Sequence, residues 1–140
     1  MQNNKLTIRN STAEFLIFEN QSHGNDITVI YENNTLWLSQ KMMGLLFDVE
    51  SNTITYHLQE IFKEGELDKD STTRKIRVVQ LEGSRQVNRP IDHYNLDAVI
   101  SVGYRVNSKK ATQFRRWATQ VLTTYSQKGY VIDRIRMEKY

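Results

Sequence analysis

Residues 37–67, WLSQKMMGLLFDVESNTITYHLQEIFKEGEL, hold two short segments of helical apolar spacing separated by a tight polar turn. That is the layout of a helix-turn-helix. The first helix is expected to start at Ser39, an N-cap residue type, and to bury Met42, Met43, Leu45, Leu46 and Phe47. Gly44 fits where the second helix crosses closely, Asp48 falls in the turn, and Val49 fills the angle between the helices. Ser51 or Asn52 caps the second helix, whose Ile54, Leu58, Ile61 and Phe62 form one inward stripe. Left outward at its start are Glu50 and a run of short hydrogen-bonding side chains, which can read base edges in a major groove. Ser51, Asn52, Thr53, Thr55, Tyr56 and His57 are therefore the candidate base contacts. The same pattern also describes an ordinary helical hairpin with a polar outer face, common in proteins that never touch DNA.

Working outward, the 140-residue chain fits one domain, long enough to bury roughly two thirds of its unfolded surface. It has no cysteine, which excludes disulfides and thiolate metal sites and makes an intracellular compartment the simpler expectation. The N-terminus, MQNNKLTIRNSTAEF, lacks the charged start and apolar stretch of a signal peptide, and no apolar run approaches the length of a membrane span. The sequence thus reads as a soluble, cytoplasmic protein. Net charge is only +3, but residues 1–70 hold five Lys or Arg against eleven Asp or Glu, whereas residues 71–140 hold fourteen against five. A basic half attracts phosphate through counterion release, unless folding intermingles the two halves on one surface.

Residues 1–12 are polar and expected to fray. The segment EFLIFE, 14–19, reads as a strand, and ITVIYENNTLWLS as two strands around Asn33-Asn34, a pair that tolerates the positive φ of a hairpin turn. After the helical pair and the acidic connector KEGELDKDST come IRVVQLE and RQVNRPIDHY, strand-like segments joined at Glu82, Gly83 and Ser84. This second hairpin carries Arg74, Lys75, Arg77, Arg85 and Arg89. A basic hairpin directly after a helix-turn-helix is how a winged helix is built, the wing lying along the phosphate backbone while the second helix enters the groove. Pro90, the single proline, is expected at an edge or at the end of the pairing.

The last third reads as helical. Asn95 or Asp97 begins a short helix with Leu96, Val99, Ile100 and Val102 inward, stopping around Gly103. A longer helix follows, capped by Ser108, with Ala111, Phe114, Ala118, Val121, Leu122 and Tyr125 on its stripe, Trp117 beside it and Gly129 at its end. Lys109, Lys110, Arg115 and Arg116 crowd its start, against the helix dipole. Either an anion neutralises them, which adds them to the phosphate contacts, or they form a solvated basic face. The tail VIDRIRMEKY, 131–140, reads as the start of a further helix or linker, as in the front part of a longer protein.

The strings TLWLSQKMMGLLFDVESNTITYHLQEIFKEGELDKDS and YNLDAVISVGYRVNSKKATQFRRWATQVLTTYSQKGYVID together resemble the N-terminal domain of the RhuM family of bacterial and phage-associated proteins. The second string is the more distinctive, with Leu96-Asp97, then residues 100–106, then Gln113-Phe114-Arg115 and Trp117-Ala118-Thr119 in the family's order and spacing. A more distant similarity runs to the Bro and KilA N-terminal domains of phage antirepressors, where a like F-x-x-W helix precedes a stretch resembling Lys128-Gly129-Tyr130. The resemblance implies a DNA-binding protein of mobile elements.

No catalytic motif competes. His23, His57 and His93 are scattered, and there is no H-E-x-x-H, P-loop, G-x-S-x-G or dinucleotide fingerprint. His57, Glu60 and Glu64 have a spacing that could hold a divalent metal, although an exposed acidic helix face explains it better; Tyr125 reads as core, not as a nuclease tyrosine. The reading is therefore a non-enzymatic α+β protein, with a single domain over 13–130. It has a winged helix-turn-helix-like core, an N-terminal β-hairpin and a C-terminal helical pair. No cofactor or metal is expected. Its expected partner is double-stranded DNA, with a second copy of itself or a further region or protein as additional partners. The alternative is an interaction or dimerisation module that binds no nucleic acid.

Overall fold

In a computed structural model, which describes residues 27–121 together with Phe15, Phe18 and Glu19, the sheet begins at a pair of asparagines. Asn33 and Asn34 take φ of 54° and 62°, the two positive values of a type I′ turn, whose twist matches that of its flanking strands. They join β1 (Ile30–Glu32) to β2 (Thr35–Ser39) in antiparallel register, Glu32 opposite Thr35. Leu36, Trp37 and Leu38 are all buried, so β2 does not alternate as a one-sided strand would. The Trp37 indole N–H donates to the Glu32 carbonyl at 3.0 Å, which satisfies its buried polar atom across the hairpin.

Ser39 ends β2 and caps α1 (Gln40–Phe47), its hydroxyl accepting from the Met42 N–H at 3.3 Å. Met43, Leu46 and Phe47 are buried as expected, but Leu45 is 43% exposed, because it falls on the outer side of a helix of little more than two turns. Asp48 closes α1 in the left-handed region, φ 56°, with its N–H directed to the carbonyls of Gly44 and Leu45. The chain then reverses, and a Cβ on Gly44 would stand 2.9 Å from the carbonyl oxygen of Val49. α2 (Ser51–Lys63) follows, its Ile54, Leu58 and Ile61 buried. Its N-cap is Glu50, with no side-chain cap bond, and not Ser51 or Asn52. Ser51 is already helical, and its hydroxyl accepts from the Gln40 amide.

A short helix, α3 (Lys69–Thr72), is capped by the Asp68 carboxylate and leads into β3 (Thr73–Glu82). Gly83, φ 66°, occupies the first turn position, which a type II′ turn reserves for glycine, and β4 (Arg85–Asn95) returns. The sheet order is β1-β2-β4-β3, antiparallel throughout, but β2 meets β4 only over Asn95, Tyr94 and His93. Beyond His93 the β3–β4 hairpin is a two-stranded ribbon. Pro90 sits inside that ladder, opposite Arg77, where β4 has no second neighbour among the described residues to need its missing N–H.

Asn95 caps α4 (Leu96–Arg105), accepting from the Ala98 N–H at 3.1 Å. The helix runs past Gly103, which is not a terminator: a Cβ there would lie 2.4 Å from the Phe114 ring and 3.0 Å from that of Phe47. Ser108 caps α5, helical from 109 through 121, by accepting from Ala111, and donates to the Phe47 carbonyl at 2.6 Å. Phe114 is fully buried among Phe15, Phe18, Phe47 and Trp117, whose rings meet it mostly edge to face. Phe15, Phe18 and Glu19 are helical, which corrects the expected strand at 14–19. A six-residue apolar run carries no period long enough to separate the two. The expectations for residues 1–12, Tyr125, Gly129 and 131–140 lie outside the described residues. The described chain is an α+β assembly with a four-stranded antiparallel sheet, its apolar cluster lying between β2, the C-terminal end of β4 and the helices.

Gly103→Ala is expected to destabilise the fold by about 1–3 kcal/mol, since the fully buried Phe114 ring cannot withdraw. A reversible denaturant titration measures this, and an unchanged midpoint would mean that the helices do not cross at Gly103.

Candidate nucleic-acid interface

α2 is held by one side and offers the other. With Ile54, Leu58 and Ile61 buried, the helical period leaves Ser51, Asn52 and Tyr56 exposed, while Thr53, Thr55 and His57 are half-buried at the flanks. Gln40, at the start of α1, reaches across to this first turn. Its amide nitrogen donates to the Ser51 carbonyl and hydroxyl, each at 3.0 Å, and to the Thr55 hydroxyl. The Thr55 hydroxyl in turn donates to the Ser51 carbonyl at 3.2 Å. Thr55 is thus engaged within the protein, and Gln40 is a positioning residue that the sequence did not single out. Its signal was only its place beside the Ser39 cap.

Burial, and then the charge of Arg105, hold the His57 pKa below its ordinary value, so the imidazole is neutral at pH 7 and offers one donor and one acceptor. Arg105 itself is fixed, donating to Glu64 at 2.6 Å and to Glu66 at 2.8 Å. These bonds raise the Arg105 pKa and hold Glu66 below the usual carboxylate range. With Glu64 so occupied, the spacing of His57, Glu60 and Glu64 builds no metal cage, and no group of three metal-ligating side chains gathers among the described residues.

On the β3–β4 ribbon the pleat divides the basic residues between two faces. Cross-strand register puts Arg74, Arg85 and Arg89 on one face and Lys75 and Arg77 on the other. Arg74 lies 3.7 Å from Glu32 and over the Trp37 ring at 5.7 Å; Lys75 donates to Asp92 at 3.0 Å; Arg89 donates through Nε and Nη2 to the two carboxylate oxygens of Glu82. Arg77 and Arg85 are exposed and form no ion pair among the described residues.

At the start of α5 the basic cluster separates in the same way. Arg115 turns back to α4, donating to the carbonyls of Gly103 at 3.1 Å and Val106 at 2.7 Å, and to the Thr112 hydroxyl at 2.9 Å. The negative end of α4 therefore receives the charge that crowds the positive end of α5. Lys109 and Arg116 are exposed and, with Ser108, Thr112 and Gln113, line a shallow depression of about 380 Å³; Lys110 is half-buried beside them. A larger cleft of about 730 Å³ lies between the start of α1 and the ribbon, lined by Ile30, Met42, Gln80 and the buried His93.

The six base-contact candidates are thus gathered on one helix, three of them exposed. The nine phosphate candidates are divided between the β3–β4 ribbon, with five, and α5, with four, and Arg77, Arg85, Lys109 and Arg116 are the exposed ones without a counter-ion among the described residues. No described helix is long and apolar enough to cross a membrane.

No curated protein and no solved structure matches the chain. The model of the virulence protein RhuM family matches residues 71–140, which take in both ribbon strands, α4 and the described part of α5. The match spans half the chain, the stretch in which Gly103 and Phe114 lie, and the protein belongs to the virulence protein RhuM family.

Proposed function

We propose that this protein binds duplex DNA and acts as a regulator associated with mobile elements. In this reading α1 and α2 are a helix-turn-helix, α2 is the recognition helix, and the β3–β4 ribbon is the wing of a winged helix. The observation that carries the proposal is the exposure of Ser51, Asn52 and Tyr56 on the first turns of a helix whose other side is anchored by three fully or nearly fully buried aliphatic side chains. Small polar groups and one aromatic ring on a fixed helix are suited to base edges. The Gln40 bonds support the same reading, because they hold the first turn of α2 in place before any ligand arrives. Arg77, Arg85, Lys109 and Arg116 then supply phosphate contacts, and the protein works in the cytoplasm, without catalysis or cofactor. Two exposed apolar residues on the ribbon, Val79 and Leu81, favour a second reading as an interaction module. Salt separates the two, since phosphate contacts release counterions and apolar contacts do not.

In fluorescence anisotropy with a labelled mixed-sequence duplex, affinity is expected to fall roughly a hundredfold between about 50 and about 200 mM salt if four phosphates are neutralised. Binding that is absent at both salts would leave the interaction module as the better reading.

Asn52→Ala combined with Tyr56→Ala is expected to flatten the preference for a selected site while leaving mixed-sequence binding intact. Selection from a random duplex pool before and after the change measures it, and an unaltered preference would remove α2 from the recognition role.

Charge reversal at Arg116, Arg77 or Arg85 is expected to weaken binding to every duplex and to shallow the salt slope by about one phosphate each. Arg115→Glu should instead lower the melting temperature, since it removes the donor to the end of α4. Equal effects at Arg115 and Arg116, on binding and on melting alike, would contradict this division.

A further inference from the structure

We propose that two copies of this chain join through the outer edge of β3, strand against antiparallel strand about a two-fold axis at Val78. This goes beyond DNA binding and does not rest on it.

β3 ends the sheet, and among the described residues no strand lies on its far side. The ladder to β4 shows which main-chain groups that edge presents. In an antiparallel pair, opposite residues alternate between exchanging hydrogen bonds and pointing both sets of groups away. Glu82 and Arg85 flank the two-residue turn, where the pair is the bonded kind, and alternation makes Arg77 and Pro90 an unbonded pair. Proline has no N–H to give, so the two markers agree. Lys75, Arg77, Val79 and Leu81 therefore turn their N–H and C=O groups outward along β3. On the opposite edge of the ribbon Pro90 removes a donor and blocks strand addition; β3 has no such block over ten residues.

Side chains choose the register. With the axis at Val78, Arg77 of one copy faces Val79 of the other, and Lys75 faces Leu81, all on one sheet face. These are the outward-turned residues, so every such pair exchanges two main-chain bonds. Arg74 of each copy falls opposite Glu82 of the other, so no like charges meet at either end of the interface, each of the two keeping its partner within its own copy, Glu32 and Arg89. Moving the axis one residue back, to Arg77, would set the two Arg77 side chains against each other. Val79 and Leu81 are 65% and 73% exposed, the two largest exposures among the large apolar side chains described. In the pairing, the stems of Arg77 and Lys75 cover them while the charged ends stay at the surface.

Sedimentation velocity of the full chain across about 1 µM to about 1 mM is expected to pass from monomer to dimer, the range suited to an interface of this small size. Val79→Pro removes one outward N–H and none in the β3–β4 ladder, and is expected to weaken association at least tenfold with circular dichroism unchanged. A second test needs no loss of association. The chain has no cysteine, and unbonded opposite residues stand about 4.5 Å apart, within disulfide reach. Under mild oxidation Val78→Cys should form a cross-linked dimer many times faster than Gln80→Cys, whose counterpart lies four residues out of register. A chain that stays monomeric throughout, because the edge is solvated or because another segment covers it, overturns the proposal. So does association undiminished by Val79→Pro, or equal cross-linking at the two positions.

Discussion

The contact on which the rest of the structure depends is the closure of the Phe114 ring over Gly103. Helices normally approach to 8–10 Å, limited by the side chains between them, and at this crossing α4 has no side chain to interpose. The ring of Phe114 fills the space a Cβ would need, meets Phe47 at a centroid distance of 5.0 Å, and has Phe15, Phe18 and Trp117 around it. Phe47 is the last residue of α1, and its carbonyl accepts from the hydroxyl of Ser108, the cap of α5. One aromatic cluster thus fixes where α1 ends. The end of α1 fixes the turn at Asp48, and the turn sets the direction in which α2 leaves. The exposed face of α2 is aimed by a contact made some sixty residues later in the chain.

Much of this was legible in the sequence where a local rule determined the outcome. Asn33-Asn34 and Gly83 announced their turns because few other residues accept positive φ, and Ser39 and Ser108 announced helix starts because their side chains satisfy free N–H groups, as Asn95 does where the sequence offered Asn95 or Asp97. The inward stripe of α2 followed from period alone. What was not legible depended on distant partners. Leu45 looked like core until the direction of α2 was known. Within the strand expected at 14–19, Phe15 and Phe18 are instead helical and, three apart, both reach the Phe114 cluster; a short apolar run fits either period. For the candidate site the limits are similar. Residue types at the head of α2 were readable, but that Gln40 engages Thr55, or that Arg115 serves the carbonyls of α4, depends on groups that no periodicity connects.

The charge asymmetry of the sequence also changes meaning in three dimensions. The acidic and basic halves do intermingle: Glu32 meets Arg74, and Glu64 and Glu66 meet Arg105. Exposed pairs of this kind contribute little stability each, typically under about 1 kcal/mol, but they decide which cations remain available. Arg105, held by two carboxylates, and Arg115, held by two carbonyls, are parts of the framework. Arg77, Arg85, Lys109 and Arg116 have no such anchor among the described residues. A formal charge of +3 therefore understates how unevenly attraction for an anion is distributed over the surface.

The ribbon raises a different question, one of stability. A two-stranded hairpin is marginal in water, and beyond His93 no third strand lies beside this one among the described residues. Its cross-strand pairs include Lys75 with Asp92, while Arg89 holds Glu82 near the tip, so its inner register is secured by charge as well as by the Gly83 turn. Those pairs explain how it stays a hairpin, but not why Val79 and Leu81 face water. An apolar pair placed along an unblocked edge lowers solubility unless something covers it, and Pro90 shows that the other edge of the same ribbon is closed to strand addition. An arm protected on one edge and open on the other is asymmetric in the sense that favours a single, defined partner strand. In a two-fold pairing the same strand supplies both sides, so one short sequence suffices to build the whole interface.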